Sequence, residues 1–158
     1  MNDKLLPFEK ITYTDSCTEI DIALTPYVGE RVLLDSVYRE IGAREYIEAA
    51  IGYANLATQV DGYRVERKDG TLETTLLSHN FLGFDDQEAE RLYICKGIPV
   101  ERKYGAALVR IAEQQNCFIS EVVINGLLTH FEISDQRKLG HSVVAAKDGN
   151  RILVASSI

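Results

Sequence analysis

The chain has 158 residues, of which 46% are hydrophobic and 26% are charged, and its formal net charge is −7. This composition is that of a globular protein and excludes a chain that is disordered throughout. The negative charge argues against a protein that coats nucleic acid non-specifically. No apolar run approaches the roughly 20 residues that cross a bilayer, so we expect no membrane partner.

The compartment and the cysteines give a second set of expectations. The first residues, MNDKLLPFEK, lack the basic and then apolar order of a secretory signal, so we expect a cytoplasmic protein. The three cysteines, Cys17, Cys95 and Cys117, have no CxxC spacing. Free cysteine is commonly buried, so we predict packing residues, although one disulfide between an unspecified pair stays open.

Alternating apolar and polar residues predict two strands near the start of the chain, at residues 8–14 and 18–24. Successive strand residues point to opposite faces, so the second strand has an inner and an outer side. The inner side is Ile20, Ile22 and Leu24, and the outward side is Glu19, Asp21 and Ala23. Thr25-Pro26 ends this strand, because proline cannot donate to a β-ladder.

Two helices and a hairpin follow. Residues 28–41 have helical spacing through Leu33, Leu34, Val37 and Ile41, and residues 43–58 through Tyr46, Ile47, Ala50, Ile51 and Ala54. Gly52 lies inside the second helix at a cost of about 1 kcal/mol relative to Ala, which predicts close packing against another element. Asp69-Gly70 between alternating runs predicts a β-hairpin.

After a connecting segment at 78–90, with a short helix from Asp85, the same order of elements returns. A strand at 91–98 precedes Pro99, which we place near the first position of a helix that ends at Asn116. Ser120 is the predicted N-cap of a further helix, and Asp148-Gly149 marks a second hairpin. The inward set of that helix is Val123, Leu127, His130 and Phe131.

Both hairpin turns read Lys-Asp-Gly, starting at Lys68 and Lys147, which are 79 residues apart. Repeats are sought early because they determine architecture. We therefore predict a single α+β globular domain, residues 1–158, with two strand-helix-helix-hairpin units in a pseudo-repeat (1–79 and 80–158). The helices are predicted to pack on antiparallel sheet.

The second helices, GAREYIEAAIGYANL at 42–56 and NCFISEVVINGLLTHF at 116–131, follow a strand and a first helix. This order resembles the ribbon-helix-helix family of DNA-binding proteins, and two copies in one chain look like its tandem members among plasmid-transfer accessory proteins. The resemblance implies that a two-stranded ribbon enters the major groove and that its outward side chains read bases. Carried to this chain, the basic candidates are Arg91, Tyr93, Lys96, Arg102 and Lys103. On the first strand, by contrast, two outward carboxylates would be repelled by phosphate.

The acidic first half favours a different partner. Residues 1–79 contain 8 Lys+Arg and 14 Asp+Glu, a net charge of −6, whereas residues 80–158 contain 9 and 10, a net charge of −1. An acidic surface that carries tyrosines suits a basic protein partner. The candidate partner-binding residues are Glu19, Asp21 and Tyr27.

Catalytic motifs give little support for an enzyme. The sequence has no GxxxxGK[ST], GxGxxG, GxSxG or HExxH, and the three histidines lack metal-ligand spacing, so we expect no cofactor and no metal. One thiol–imidazole–carboxylate set could be assembled, from Cys95 or Cys117, His79 or His141, and Asp85 or Asp86. The leading hypothesis is a non-catalytic binding or regulatory protein. A tandem ribbon-helix-helix protein that binds duplex DNA is the alternative, and an enzyme of unrecognised type is the third. The oligomeric state stays open, with a homodimer as one option.

Overall fold

A computed structural model describes residues 9–39, 42–67, 69, 72–75 and 92–156, and within them the fold is α+β with antiparallel sheets. This agrees with the class predicted from the sequence. The elements in chain order are β1 (Lys10–Tyr13), β2 (Thr18–Leu24), α1 (Pro26–Arg39), α2 (Ala43–Ala57), β3 (Gly62–Glu66), β4 (Leu72–Thr75), β5 (Tyr93–Val100), α3 (Arg102–Gln115), α4 (Ile119–Lys138), β6 (Ser142–Lys147) and β7 (Asn150–Ala155).

Each of the two sheets joins strands from both halves of the chain. A three-stranded sheet has the order β1-β2-β5, and a four-stranded sheet has the order β4-β3-β6-β7. The β2–β5 and β3–β6 pairs are both antiparallel. The β2–β5 register shifts at Asp21, whose carboxylate accepts a hydrogen bond from the Gly97 N–H at 2.7 Å. Gly97 has a φ of 64°, a conformation that glycine adopts at little cost.

The main hydrophobic cluster combines β2, α1, α2, β5, α3 and α4. Ile47 and Ile51 of α2 lie in it together with Val123 and Leu127 of α4. A second cluster, built on Val65, Ile133 and Val143, lies between α4 and the four-stranded sheet. The two halves therefore bury their apolar faces against each other.

The closest approach of α2 and α4 is at a different glycine from the predicted one. A Cβ added to Gly126 would lie 2.1 Å from the carbonyl oxygen of Ala50, whereas nothing lies within 4 Å of a Cβ added to Gly52. The prediction for Gly52 is wrong because that position points away from the helix crossing. Gly126 allows the two backbones to touch.

The buried side of α1 also differs from the predicted stripe. Val28 and Val32 are in the core, but Leu33 is 57% exposed. The sequence contains two overlapping helical stripes, and packing against the sheet selects the one that starts two residues after Pro26. The side chains of residues 34–41 lie outside the described part.

Two predicted helix starts are corrected. Pro99 is the seventh residue of β5 and pairs with Glu19, and α3 begins at Arg102 with Glu101 as its N-cap. In the described sheet β5 is an edge strand, where the missing N–H of proline is tolerated. Ser120 is not an N-cap, since α4 begins at Ile119 after Phe118.

Ser120 instead belongs to a buried hydrogen-bond cluster at the start of α4. Its backbone N–H donates to the Glu9 carboxylate at 2.9 Å, and its hydroxyl also bonds this carboxylate. The Ser120 Oγ accepts a hydrogen bond from the Ala23 N–H at 3.0 Å. Ala23, predicted on the outward face of the strand, is fully buried.

The predicted helix end and the two hairpins are confirmed. Asn116 is the left-handed C-cap of α3, with a φ of 54°. β3 pairs with β4, and β6 pairs with β7 through Asp148 and Gly149, whose φ angles are 51° and 80°. Two positive φ angles are those of a type I′ turn. The predicted connector at 78–90 lies outside the described residues.

Candidate functional site

Helix α3 has a buried side and a partly apolar outer side. Its buried residues, at helical spacing, are Gly105, Ala107, Leu108, Ile111 and Ala112. A Cβ added to Gly105 would lie 2.7 Å from the Cβ of Thr18, so the start of β2 touches the helix here. This close contact brings the β1–β2 hairpin alongside the outer flank of α3.

A groove of about 470 Å³ lies between that hairpin and α3. Its volume is within the range of ligand sites, roughly 300–1,000 Å³. Tyr13, the last residue of β1, is 71% exposed at its edge. We call it the β1–α3 groove, and it is lined by Tyr13, Thr18, Arg102, Ala106, Val109, Arg110 and Glu113.

Two arginines in the β1–α3 groove are oriented by neutral oxygens. Arg102 Nη2 donates to the carbonyl of Thr14 at 2.7 Å and also to that of Asp15. Arg110 Nη2 donates to Asn55 Oδ1, on α2, at 2.6 Å. Within the described part of the chain, neither guanidinium forms an ion pair with a carboxylate. Both positive charges are thus fixed in place but not neutralised there.

Other arginines of the protein have acidic partners. Arg31 pairs with Asp135 at 2.6 Å, and Arg151 pairs with Glu66 at 2.6 Å. The hydrogen bond from Arg151 lowers the pKa of the Glu66 carboxyl below its ordinary value. The β1–α3 groove therefore differs in kind from these paired sites.

Comparison with known protein families, curated proteins and solved structures found no match.

The residues predicted to read DNA do not share one surface. Arg91 lies outside the described residues. Tyr93 places its ring over Gly29 of α1, since a Cβ added there would lie 2.5 Å from the ring, so Tyr93 is on the side of the sheet that the helices cover. Lys96 is exposed at the register shift opposite Asp21.

Arg102 and Lys103, the other two basic candidates, lie at the start of α3. Arg102 is in the β1–α3 groove, as described above. Lys103 Nζ is 3.6 Å from Glu101 Oε2 and 5.1 Å from the centre of the Tyr104 ring. Exposed ion pairs of this type contribute little.

The predicted partner-binding residues occupy two separate places. Glu19 and Asp21 lie on the side of the sheet away from the core, and Lys10 of β1 pairs with Asp21 across the strands. The hydroxyl of Tyr27 accepts a hydrogen bond from Arg31 Nη1 at 3.1 Å. Since Arg31 also bonds α4, Tyr27 is part of the α1–α4 contact.

The proposed thiol–imidazole–carboxylate set is not assembled among the described residues, because His79, Asp85 and Asp86 lie outside them. Burial raises the pKa of the Cys95 thiol, which disfavours the thiolate that a nucleophile needs. His141 Nδ1 is 2.8 Å from Gln136 Oε1. All three cysteines are free.

His130 has a packing environment. Its ring centre lies 5.6 Å from that of Tyr46 and 5.7 Å from that of Tyr53, between α2 and α4. In the described ranges no group of three His, Cys, Asp or Glu side chains could hold a metal ion. None of the helices in those ranges is both long and apolar enough to cross a bilayer.

Sequence reasoning selected Arg102 for another role and missed the rest of the β1–α3 groove. The available signal was the outer side of α3, where two small apolar residues, Ala106 and Val109, lie between Arg102 and Arg110 at helical spacing. Tyr13 had no such signal, since it lies 89 residues before Arg102 in the sequence. Only the packing of Thr18 on Gly105 brings it there.

Proposed function

We propose that this protein is a non-catalytic binding protein that docks a partner protein in the β1–α3 groove. The observation that carries the proposal is the pair Arg102 and Arg110, fixed by neutral oxygens beside the exposed ring of Tyr13. Tyrosine and arginine are enriched in protein interfaces and among the residues that contribute most to binding. Ala106 and Val109 add an apolar floor to the groove.

The chemistry of the lining favours binding over turnover. A nucleophilic mechanism requires a nucleophile within hydrogen-bond reach of a base. Of the lining residues only Glu113 carries a carboxylate, and none is a cysteine or a histidine. The lining supplies charge, an aromatic ring and apolar contact, which are the elements of recognition.

We further propose that the halves are two copies of one unit related by an approximate twofold axis. The pairings of β2 with β5, α2 with α4, and β3 with β6 support it. The β3–β6 register supports it more sharply: Arg64 pairs with Val144 and Val65 pairs with Val143. Shifting Arg64 forward and Val144 back by 79 residues, the spacing of the Lys-Asp-Gly turns, turns the first pair into the second.

A partner-capture experiment tests the binding function. The wild-type protein and Ala106→Trp, in which an indole fills the groove at an exposed position, are immobilised and exposed to native lysate. We expect the wild type to retain one reproducible, saturable protein that Ala106→Trp loses. Gln114→Trp, on α3 but outside the groove, is the matched control and should retain it.

Two outcomes contradict the proposal. One is a reproducible partner that Ala106→Trp binds as tightly as the wild type does. The other is turnover of a small molecule that is lost on replacing Cys95 or His141. The second outcome would favour the enzyme hypothesis.

The second candidate function is the binding of duplex DNA, which the antiparallel β2–β5 pair favours because a two-stranded ribbon fits the major groove. Glu19 and Asp21 on the outer face oppose it. So does Glu9, whose carboxylate occupies the N-terminus of α4, where a phosphate could otherwise bind.

Duplex affinity as a function of salt tests this candidate. DNA binding predicts a steep loss of affinity with salt and a further loss in the double variant Arg91→Ala, Lys96→Ala. Unchanged affinity in that variant would exclude the ribbon as the reader.

A further inference from the structure

We propose that the occupant of the β1–α3 groove is an extended, acidic segment of the partner protein, with two carboxylates four residues apart and an apolar side chain midway between them. The inference rests on the proposed function and specifies its ligand. It follows from the spacing of the two guanidinium groups, from the floor between them and from the charge of the rest of the protein.

The two arginines are too far apart for one small anion. Arg102 and Arg110 are eight residues apart on α3, so their Cα atoms are separated by about 12 Å along the helix axis. Four residues of extended chain span about 13 Å. A single phosphate or carboxylate would contact one arginine, whereas a peptide with acidic residues at its first and fifth positions reaches both.

The floor between the arginines selects the middle residue of the segment. Ala106 and Val109 lie between Arg102 and Arg110, and Tyr13 forms the opposite edge. In an extended chain, residues one, three and five point to the same side. The side chain at position three therefore faces the apolar floor when those at one and five face the guanidinium groups.

The charges of the protein make the selection stronger. Both arginines keep N–H donors for a carboxylate, because each uses only Nη2 in the hydrogen bonds described above. Arginine forms its strongest bonds with carboxylates in a forked geometry. On a chain of net charge −7, the groove is a local positive site that attracts acidic segments within about a Debye length.

Glu113 fixes the direction of the segment. It lines the groove one turn of α3 beyond Arg110, on the side away from Arg102. A carboxylate beyond the second arginine would be repelled there, and a lysine or arginine would be attracted. The segment is thus acidic at both clamped positions and neutral or basic past the one that meets Arg110.

Fluorescence anisotropy with a designed peptide tests the inference. The probe is a labelled peptide with glutamates four residues apart, leucine midway and serine elsewhere, and a second probe has lysines in place of the glutamates. We expect the wild type to bind the glutamate probe at least about tenfold more tightly than the lysine probe. Arg110→Glu should lose at least about tenfold in affinity for it.

Matched variants separate charge from folding. Arg64→Glu makes the same charge change at an exposed position on β3, outside the groove, and should bind the glutamate probe like the wild type. Arg102→Gln, which removes one charge without reversing it, should show a smaller loss than Arg110→Glu. Far-UV circular dichroism and thermal unfolding establish that each variant is folded.

Three results would overturn the inference: no binding of the glutamate probe at millimolar concentration, equal binding of both probes, or equal loss in Arg64→Glu and Arg110→Glu. Tighter binding of a single-stranded oligonucleotide than of the glutamate probe would also overturn it and indicate a nucleic acid. If partner capture is lost in Ala106→Trp but kept in Arg110→Glu, the binding function stands and the acidic segment is excluded.

Discussion

Gly126 of α4 lies directly against the main chain of Ala50 of α2, so close that an added Cβ would be 2.1 Å from the Ala50 carbonyl oxygen. The obstacle is backbone, which cannot rotate away as a side chain can. We expect Gly126→Ala to lower the free energy of unfolding by about 3 kcal/mol or more, because the two helices must separate. Urea unfolding measures the change.

Gly52→Ala is the matched control in the partner helix. Nothing lies within 4 Å of a Cβ added to Gly52, and alanine is a better helix former than glycine. We expect this variant to be more stable than the wild type by about 0.5–1 kcal/mol. Equal destabilisation by both substitutions would contradict the assignment of the helix crossing to Gly126.

Glu9 connects the start of the described chain to α4 through Ser120. Removing its carboxylate in Glu9→Ala leaves a buried N–H and a buried hydroxyl without this acceptor. Such losses cost about 1–3 kcal/mol. Glu113→Ala removes an exposed carboxylate and should change stability by less than about 0.5 kcal/mol. Thermal and urea unfolding of both variants check the difference, and a neutral Glu9→Ala would show that the bond does not stabilise the fold.

Tyr63 makes a pH-dependent contribution in alkali. Burial raises the pKa of its phenol to about 12, and its hydroxyl donates to the Tyr53 carbonyl at 3.2 Å. Because the folded pKa lies above the model value of 10.0, the stabilisation is complete below pH 10 and declines as the pH rises toward 12. Unfolding measured across this interval should show a steeper decline for the wild type than for Tyr63→Phe.

Glu66 should titrate at lower pH than an unpaired glutamate, because Arg151 donates two hydrogen bonds to its carboxylate at 2.7 and 2.6 Å. A lowered carboxyl pKa stabilises the folded state above the unfolded pKa, and this contribution is lost as the pH falls through the folded pKa. Carbon-13 NMR of the side chain should show the lowered pKa in the wild type and an ordinary value in Arg151→Gln. Identical titrations would exclude the pair in solution.

Local patterns were sufficient to predict most elements of this fold. The apolar stripes of α2 and α4, the alternation in β2 and the Asp-Gly turns each depend on residues that are close in sequence. Leu33 and Pro99 were misplaced because two local solutions competed in each case. Packing of α1 on the sheet and the edge position of β5 decided between them.

The candidate site required contacts that no local pattern contains. Arg102 was selected for its charge, but its role depends on the carbonyls of Thr14 and Asp15, which belong to a turn far away in sequence. Asn55 of α2 likewise orients Arg110. Such positioning emerges only when two elements pack, so periodicity and spacing alone could not predict the groove.

The most direct test of the proposed site is NMR mapping of the glutamate probe on the isotope-labelled protein. We predict that the largest chemical-shift changes on titration are those of the amides of Tyr13, Ala106, Val109 and Arg110. The amide of Arg64, on the four-stranded sheet, should stay within the experimental error. Largest changes at Arg64 and its neighbours, with none along α3, would contradict a binding site in the β1–α3 groove.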